Sequence, residues 1–204
     1  MHRTIAATAA LLADPSRAAI VLALMDGRSR SAKNLARDAG VTPQTASAHL
    51  RKLVAARMLS WEAQGRSKYF SLAGPDVAQA VEALSELGAK PLPPGAEELR
   101  FARCCYDHLA GQLGVQITQR LLRPGNTLVR ELGIDLANTK RAPYRCCTDW
   151  TERLPHVSGA LGAALLRHYL DQRWLRRVAD SRKLLITPLG SEMFARVFGL
   201  QVLA

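Results

Sequence analysis

Residues 42–53 read Thr42-Pro43-Gln44-Thr45-Ala46-Ser47-Ala48-His49-Leu50-Arg51-Lys52-Leu53. Ala46, Leu50 and Leu53, joined by Val54, recur at helical spacing and form one apolar stripe, so a helix is expected over 43–57. Thr42 is placed to cap it, its hydroxyl taking an otherwise unbonded N–H of the first turn. Pro43 suits the first helical position because it has no N–H to lose there. Burying the stripe turns Gln44, Thr45, Ser47, Ala48, Arg51 and Lys52 outward, a set without a single carboxylate.

Downstream, Leu59-Ser60-Trp61-Glu62-Ala63 and Lys68-Tyr69-Phe70-Ser71-Leu72 carry strand-forming residues on either side of Gln64-Gly65-Arg66-Ser67, a hairpin with a basic tip. Upstream, apolar residues at helical spacing mark 5–12. Asp14 and Pro15 then open a helix that turns Ile20, Val21, Leu24 and Met25 inward. A short helix over 32–39, with Leu35 and Ala36 inward, is closed by Gly40 and runs through a tight turn into the helix at 43. Residues 75–87 give one more amphipathic helix through Val77, Val81, Leu84 and Leu87.

Helix, helix, tight turn, helix and basic hairpin, in that order, make a winged helix-turn-helix, whose second helix fits a major groove about 12 Å wide. Residues 28–70 hold nine Lys or Arg against two acids, a local net of +7, and this excess is expected on the reading surface. Arg51, Lys52, Arg66 and Lys68 are expected on phosphate or, for the wing, in the minor groove. Thr42, Gln44, Thr45, Ser47 and His49 complete the set, with Gln44 suited to adenine. The segment 45–53, Leu59 and Gly65-Arg66-Ser67-Lys68-Tyr69-Phe70-Ser71-Leu72 resemble the recognition helix and wing of ArsR/SmtB-type repressors, and Asp14-Pro15-Ser16-Arg17 resembles that family's opening. The resemblance covers about 5–88. It implies an operator-binding homodimer on duplex DNA, with dimer surfaces on 5–12 and 75–87. The metal ligands common in that family are absent here, since 31–40 holds neither Cys nor His and 75–87 holds no His.

The whole chain has 204 residues, 48% hydrophobic and 22% charged, with a net charge of +11. That composition excludes a disordered or collagenous chain and points to an acidic partner. No apolar run approaches the roughly 20 residues of a spanning helix, and the apolar stretch near the start is cut by Asp14 and Pro15, so a cytoplasmic protein without a membrane partner is expected. Four cysteines are too few for a secreted disulfide scaffold.

Lys90-Pro91-Leu92-Pro93-Pro94-Gly95 reads as a linker, dividing a winged domain over 1–89 from an effector domain over 96–204. The fold class is thus mainly α. The second domain is expected to be helical over 96–122 and 155–172, with a hairpin of 174–178 and 183–187 and a last helix over 188–198. That hairpin and helix could form a second, degenerate winged helix. Two segments repeat: Arg103-Cys104-Cys105-Tyr106-Asp107 followed by His108 to Gly114, and Arg145-Cys146-Cys147-Thr148-Asp149 followed, after six residues, by His156 to Gly162. Both read R-C-C-x-D, then H-x-x-G-x-L-G.

On a helix, Cys104 or Cys105 would share a face with His108, and one cysteine of each doublet would turn inward. The effector set is therefore Cys104, Cys105, Asp107, His108, Cys146, Cys147, Asp149 and His156. Two thiolates with imidazoles would suit a soft metal ion, and three thiolates a trivalent metalloid. A reversible disulfide, or packing around a small organic ligand, are the alternatives. Catalysis by the same Cys, His and Asp residues lacks a nucleophile elbow, an HExxH or a phosphate loop, so the chain is read as a regulator and not as an enzyme.

Overall fold

A computed structural model describes residues 2–87, 97–137 and 139–202. Contacts divide the chain into two units, Met1–Val81 and Glu82–Ala204. The proline-rich stretch 90–95, read as a linker, lies outside the described residues.

The first unit runs α1 (His2–Leu12), α2 (Pro15–Ala23), β1 (Arg30–Ser31), α3 (Ala32–Asp38), α4 (Pro43–Ala55), β2 (Leu59–Gln64) and β3 (Ser67–Leu72), with α5 (Pro75–Leu87) crossing the division. Three helices begin on side-chain caps. Asp14 accepts from Arg17 N at 2.9 Å, Ser31 from Asn34 N at 3.2 Å and Thr42 from Thr45 N at 3.2 Å. Each takes an N–H that the first helical turn cannot satisfy itself. Ile20, Val21, Leu24, Met25, Leu35, Ala46 and Leu53 are fully buried and form the core on which α4 sits. The wing turns through Gly65-Arg66 with Gln64 opposite Ser67, and Gly65 has φ 61°, as a two-residue hairpin with glycine first requires. A strand the sequence did not signal, β1, adds to β3 with Arg30 opposite Phe70.

The second unit contains α6 (Glu97–Phe101), β4 (Arg103–Cys105), β5 (His108–Ala110), α7 (Gln112–Leu121), α8 (Leu128–Glu131), β6 (Arg145–Thr148), β7 (Pro155–Ser158), α9 (Gly159–Asp171), β8 (Leu175–Arg177), β9 (Leu184–Ile186) and α10 (Pro188–Phe198). It differs from the expected helical domain. The helix foreseen over 96–122 is interrupted by the hairpin β4-β5, and that foreseen over 155–172 begins as strand β7. The late hairpin and α10 stand where the sequence put them. Thr187 caps α10 and Gly199 ends it in the left-handed conformation. Tyr169 stacks on Trp174 at 5.3 Å and meets Phe194 edge-on at 5.2 Å, anchoring α9, β8 and α10 in one apolar core.

The sequence repeat is a structural repeat of hairpin and helix. Cys105 pairs across β4-β5 with His108, and Cys147 pairs across β6-β7 with His156. Arg103 faces Ala110 as Arg145 faces Ser158, and Gly111 and Gly159 both open the following helix at positive φ. A Cβ on Gly111 would stand 2.5 Å from the Arg100 carbonyl, and one on Gly159 2.7 Å from that of Ala142. Close backbone passage as well as left-handed φ thus demands glycine at both.

Candidate functional site

Each unit carries one group of candidate side chains. In the first unit, Thr42, Gln44, Thr45, Ser47, Arg51 and Lys52 lie exposed along α4, and Arg66 and Lys68 lie exposed on the wing. A groove of about 830 Å³ runs between α4 and the wing, lined by Ser47, Arg51, Arg66, Lys68, Trp61 and Tyr69 among others. Lys68 Nζ sits 4.0 Å over the Trp61 ring, which holds the ammonium against the hairpin.

Not every basic residue of 28–70 belongs to that face. Arg30 is buried and bonds Asp26 at 2.9 Å and Asp38 at 3.4 Å, Arg28 bonds Asp26 at 2.7 Å, and Arg37 bonds Asp38 at 3.2 Å. Arg30 thus braces the fold between Asp26 and Asp38, with Arg28 adding to Asp26, while Arg37 pairs at the surface with its chain neighbour. His49, expected beside the base-facing set, turns toward the start of α2, with Nε2 3.9 Å from Asp14 and Nδ1 buried without a hydrogen bond.

In the second unit, Cys105, His108, Cys147 and His156 converge. One ligand atom of each lies within 4.8 Å of all the others, and all four residues are buried. Successive residues of a strand face opposite ways, so each hairpin sends one cysteine and its cross-strand histidine to the same side. The companion cysteines go elsewhere. Cys104 packs into the core and its thiol donates to the Tyr106 carbonyl at 2.9 Å, while Cys146 is exposed with its thiol 3.2 Å from the Tyr144 hydroxyl. The helical arrangement expected around His108 is therefore replaced by a hairpin, and Cys104 and Cys146 leave the candidate set. The three-thiolate site for a trivalent metalloid falls with them, because two sulfurs converge among the described residues.

Asp107 and Asp149 back the imidazoles and do not join the cluster. Asp107 is 3.2 Å from His108 Nδ1 and pairs with Arg141. Asp149 is fully buried, takes hydrogen bonds from Arg103 at 2.9 Å, Gly111 N at 2.6 Å and Thr151, and lies 3.6 Å from His156 Nδ1. Arg103 and Gly111, which hold Asp149, were not among the site residues expected from the sequence. Their signal was their shared place in both copies of the repeat.

The protonation pattern follows from this packing. The hydrogen bond from Cys105 draws Cys147 far below the usual thiol range, with His108 adding to the pull and burial opposing it. The same bond and burial raise Cys105. Burial lowers His156 to about 3, keeping it neutral. Burial also works to lower His108, but Asp107 and Cys147 outweigh it and raise it. His108 Nε2 and both nitrogens of His156 are buried without a directed hydrogen bond. Two sulfurs and two imidazole nitrogens so arranged can share a cation or, between the sulfurs, a disulfide.

Residues 12–60 match a family described as a helix-turn-helix domain. Over an alignment of 226 residues, spanning 99% of this chain and 100% of the relative, the sequence is 38% identical to the HTH-type transcriptional regulator YdfF of Bacillus subtilis. Among solved structures, NolR from Sinorhizobium fredii is similar with 28% identity over 44% of this chain and 89% of its own, at a TM-score of 0.40. The homodimeric winged helix-turn-helix DNA-binding domain of Mb0332 from Mycobacterium bovis, described as a possible ArsR-family regulator, shows 26% identity over 45% of this chain and 83% of its own, also at a TM-score of 0.40.

Proposed function

Since the chain belongs to the HTH-type transcriptional regulators, we propose that it is an operator-binding repressor that reads DNA with α4 and the wing and responds to an effector sensed in its second half. The observation that carries the DNA reading is the exposed run of Gln44, Thr45, Ser47, Arg51 and Lys52 on α4, without a carboxylate among them, of which Ser47 and Arg51 line a groove shared with Arg66 and Lys68 on the wing. Arg51 and Lys52 supply sequence-independent attraction to phosphate, and Gln44 with its neighbours supplies base contact in the major groove. Thr42 starts the helix as its cap. Residues 1–89 form the reading part of the proposal and 96–204 the responsive part.

The reading includes a homodimer, which sets two recognition helices on half-sites about one helical turn apart. It is supported by apolar side chains left exposed on α1 and α5, with Ile5 63% and Leu87 87% accessible. No single helix among the described residues is long and apolar enough to cross a membrane, and the proposal carries a cytoplasmic location with it. The effector input is placed at the buried thiol and imidazole cluster, as a thiophilic ion or a thiol redox event. Either acts by stabilising one of two states that differ in DNA affinity, a coupling typically of about 1–3 kcal/mol.

The test is binding of the purified full chain to duplexes enriched from a randomised library, followed by anisotropy across a salt series. An R51A/K52A variant is expected to weaken binding to every sequence and to flatten the salt slope by about 2. Unchanged affinity and slope overturn the reading face. Affinity that stays constant with Zn²⁺, Cd²⁺, As(III), Hg²⁺ or a thiol oxidant overturns the effector reading.

A further inference from the structure

We propose that Cys105, His108, Cys147 and His156 form a closed, four-coordinate site for a borderline-soft divalent ion of the zinc type, which ties the two copies of the hairpin-helix repeat together. The proposal deepens the effector reading by naming ligands and ion, and the site itself stands or falls independently of any effect on DNA.

The donor set is complete and contains no surplus. Each hairpin gives one sulfur from its first strand and one imidazole from the residue paired with it, so two copies of one device supply Cys₂His₂. A tetrahedron with zinc–sulfur near 2.3 Å and zinc–nitrogen near 2.0–2.1 Å has ligand atoms about 3.3–3.8 Å apart. The four atoms already lie within 4.8 Å of one another, so contraction by about 1.0–1.5 Å at most would close the shell.

The imidazoles decide between a metal and a disulfide. His156 is fully buried and His108 nearly so, and the Nε2 atom of each has no hydrogen-bond partner. A sulfur–sulfur bond would leave both nitrogens orphaned, at the usual cost of a buried unsatisfied polar group. A cation takes all four lone pairs at once. Two thiolates and a divalent ion also sum to zero, which suits a buried site.

The surrounding carboxylates fit the same assignment. A metal-bound histidine commonly turns its other nitrogen to a carboxylate, and Asp107 and Asp149 stand 3.2 Å and 3.6 Å from the Nδ1 atoms of His108 and His156. Four protein ligands leave no open coordination position, which marks the site as structural or regulatory and not hydrolytic.

The experiment uses the reduced full-length chain. Metal content after gel filtration and titration with Co²⁺ as a spectroscopic substitute are compared in wild type, C147S, C105S and C146S. One Zn²⁺ per chain is expected, with intense tetrahedral cobalt bands and a sulfur-to-cobalt charge-transfer band. Wild type and C146S should match, and C105S and C147S should lose more than about 100-fold in affinity, exceeding the loss usual for an outer-shell change. Circular dichroism of the variants separates loss of ligand from loss of fold, and the cobalt spectrum of wild type reports the ligand set in either event. Absence of stoichiometric zinc together with absence of tetrahedral cobalt bands overturns the proposal. So does C147S retaining wild-type affinity, or C146S losing it. Zinc bound as described with DNA affinity indifferent to it upholds the site and overturns only the effector reading.

Discussion

The Asp149 carboxylate joins the two copies of the repeat by accepting from the buried Arg103 guanidinium at 2.9 Å, while Arg103 also lies 4.7 Å over the Trp150 ring. Both side chains are fully buried, so each is the other's main counter-charge, with Glu82 3.7 Å from Arg103 as a second acid. Removing one member leaves a charge in the interior. Asp149→Ala is therefore expected to destabilise the second unit by about 3–5 kcal/mol. Replacing both members with apolar residues of similar size should cost much less. Denaturant unfolding followed by tryptophan fluorescence measures both, and a loss under about 1 kcal/mol for Asp149→Ala would count against a structural ion pair.

Arginines close in sequence should divide cleanly into braces and readers. Arg30 is 7% exposed and spans Asp26 and Asp38, whereas Arg51 is exposed on α4. Arg30→Ala is predicted to lower the stability of the first unit by about 3 kcal/mol or more, through the charges left behind. Arg51→Ala should change stability by less than about 0.5 kcal/mol and reduce DNA affinity alone. Melting curves read beside DNA anisotropy distinguish the two, and equal stability losses would erase the division.

The first unit was legible because its signals are local. Asp14-Pro15 and Thr42-Pro43 pair a capping side chain with a proline at the first helical position, and both start helices where they were read. The strand β1 was invisible, since two residues have no periodicity and Arg30 owes its place to carboxylates on other elements. In the second unit Cys105 and His108 do come together, but across a hairpin and not on a helix. Positions three apart meet on one face of a helix and also across a two-residue hairpin turn, so Cys105 and His108 look alike in both. Cys147 and His156 are nine apart and share neither pattern, and the repeat alone related them.

Thr42 gives a measure of how far the cap of α4 matters for reading DNA. Its hydroxyl accepts from Thr45 N at 3.2 Å and lies 2.9 Å from the Thr45 hydroxyl. Thr42→Ala should cost about 1 kcal/mol and fray the first turn that carries Gln44 and Thr45. Thr42→Ser keeps an oxygen acceptor and should restore most of it. Thermal melts of the two variants check this, and equal melting temperatures for Ala and Ser would show that the cap does not anchor the helix.

Gly162 binds the cluster to the helix beneath it. A Cβ at this position would stand 2.6 Å from the Val157 carbonyl and 3.0 Å from the His108 Cβ, and Gly162 follows His156 by six residues in the second copy of the repeat. Neither neighbour is the end of a flexible side chain, so the backbone of β7 or the imidazole of His108 must move. Gly162→Ala is accordingly expected to weaken zinc by about 10–100-fold, the range found when residues supporting a ligand are altered, although none of the four ligand residues is itself replaced. A Cβ on Gly114, in the corresponding position of the first copy, would stand 2.5 Å from the Leu109 carbonyl, and its three nearest neighbours all belong to Leu109. Gly114→Ala should cost stability comparable to Gly162→Ala with the smaller loss of zinc affinity. Chelator competition and denaturant unfolding on both variants make the comparison, and a loss of zinc affinity as large in Gly114→Ala as in Gly162→Ala would show that the contact with His108 is not what orients the ligand.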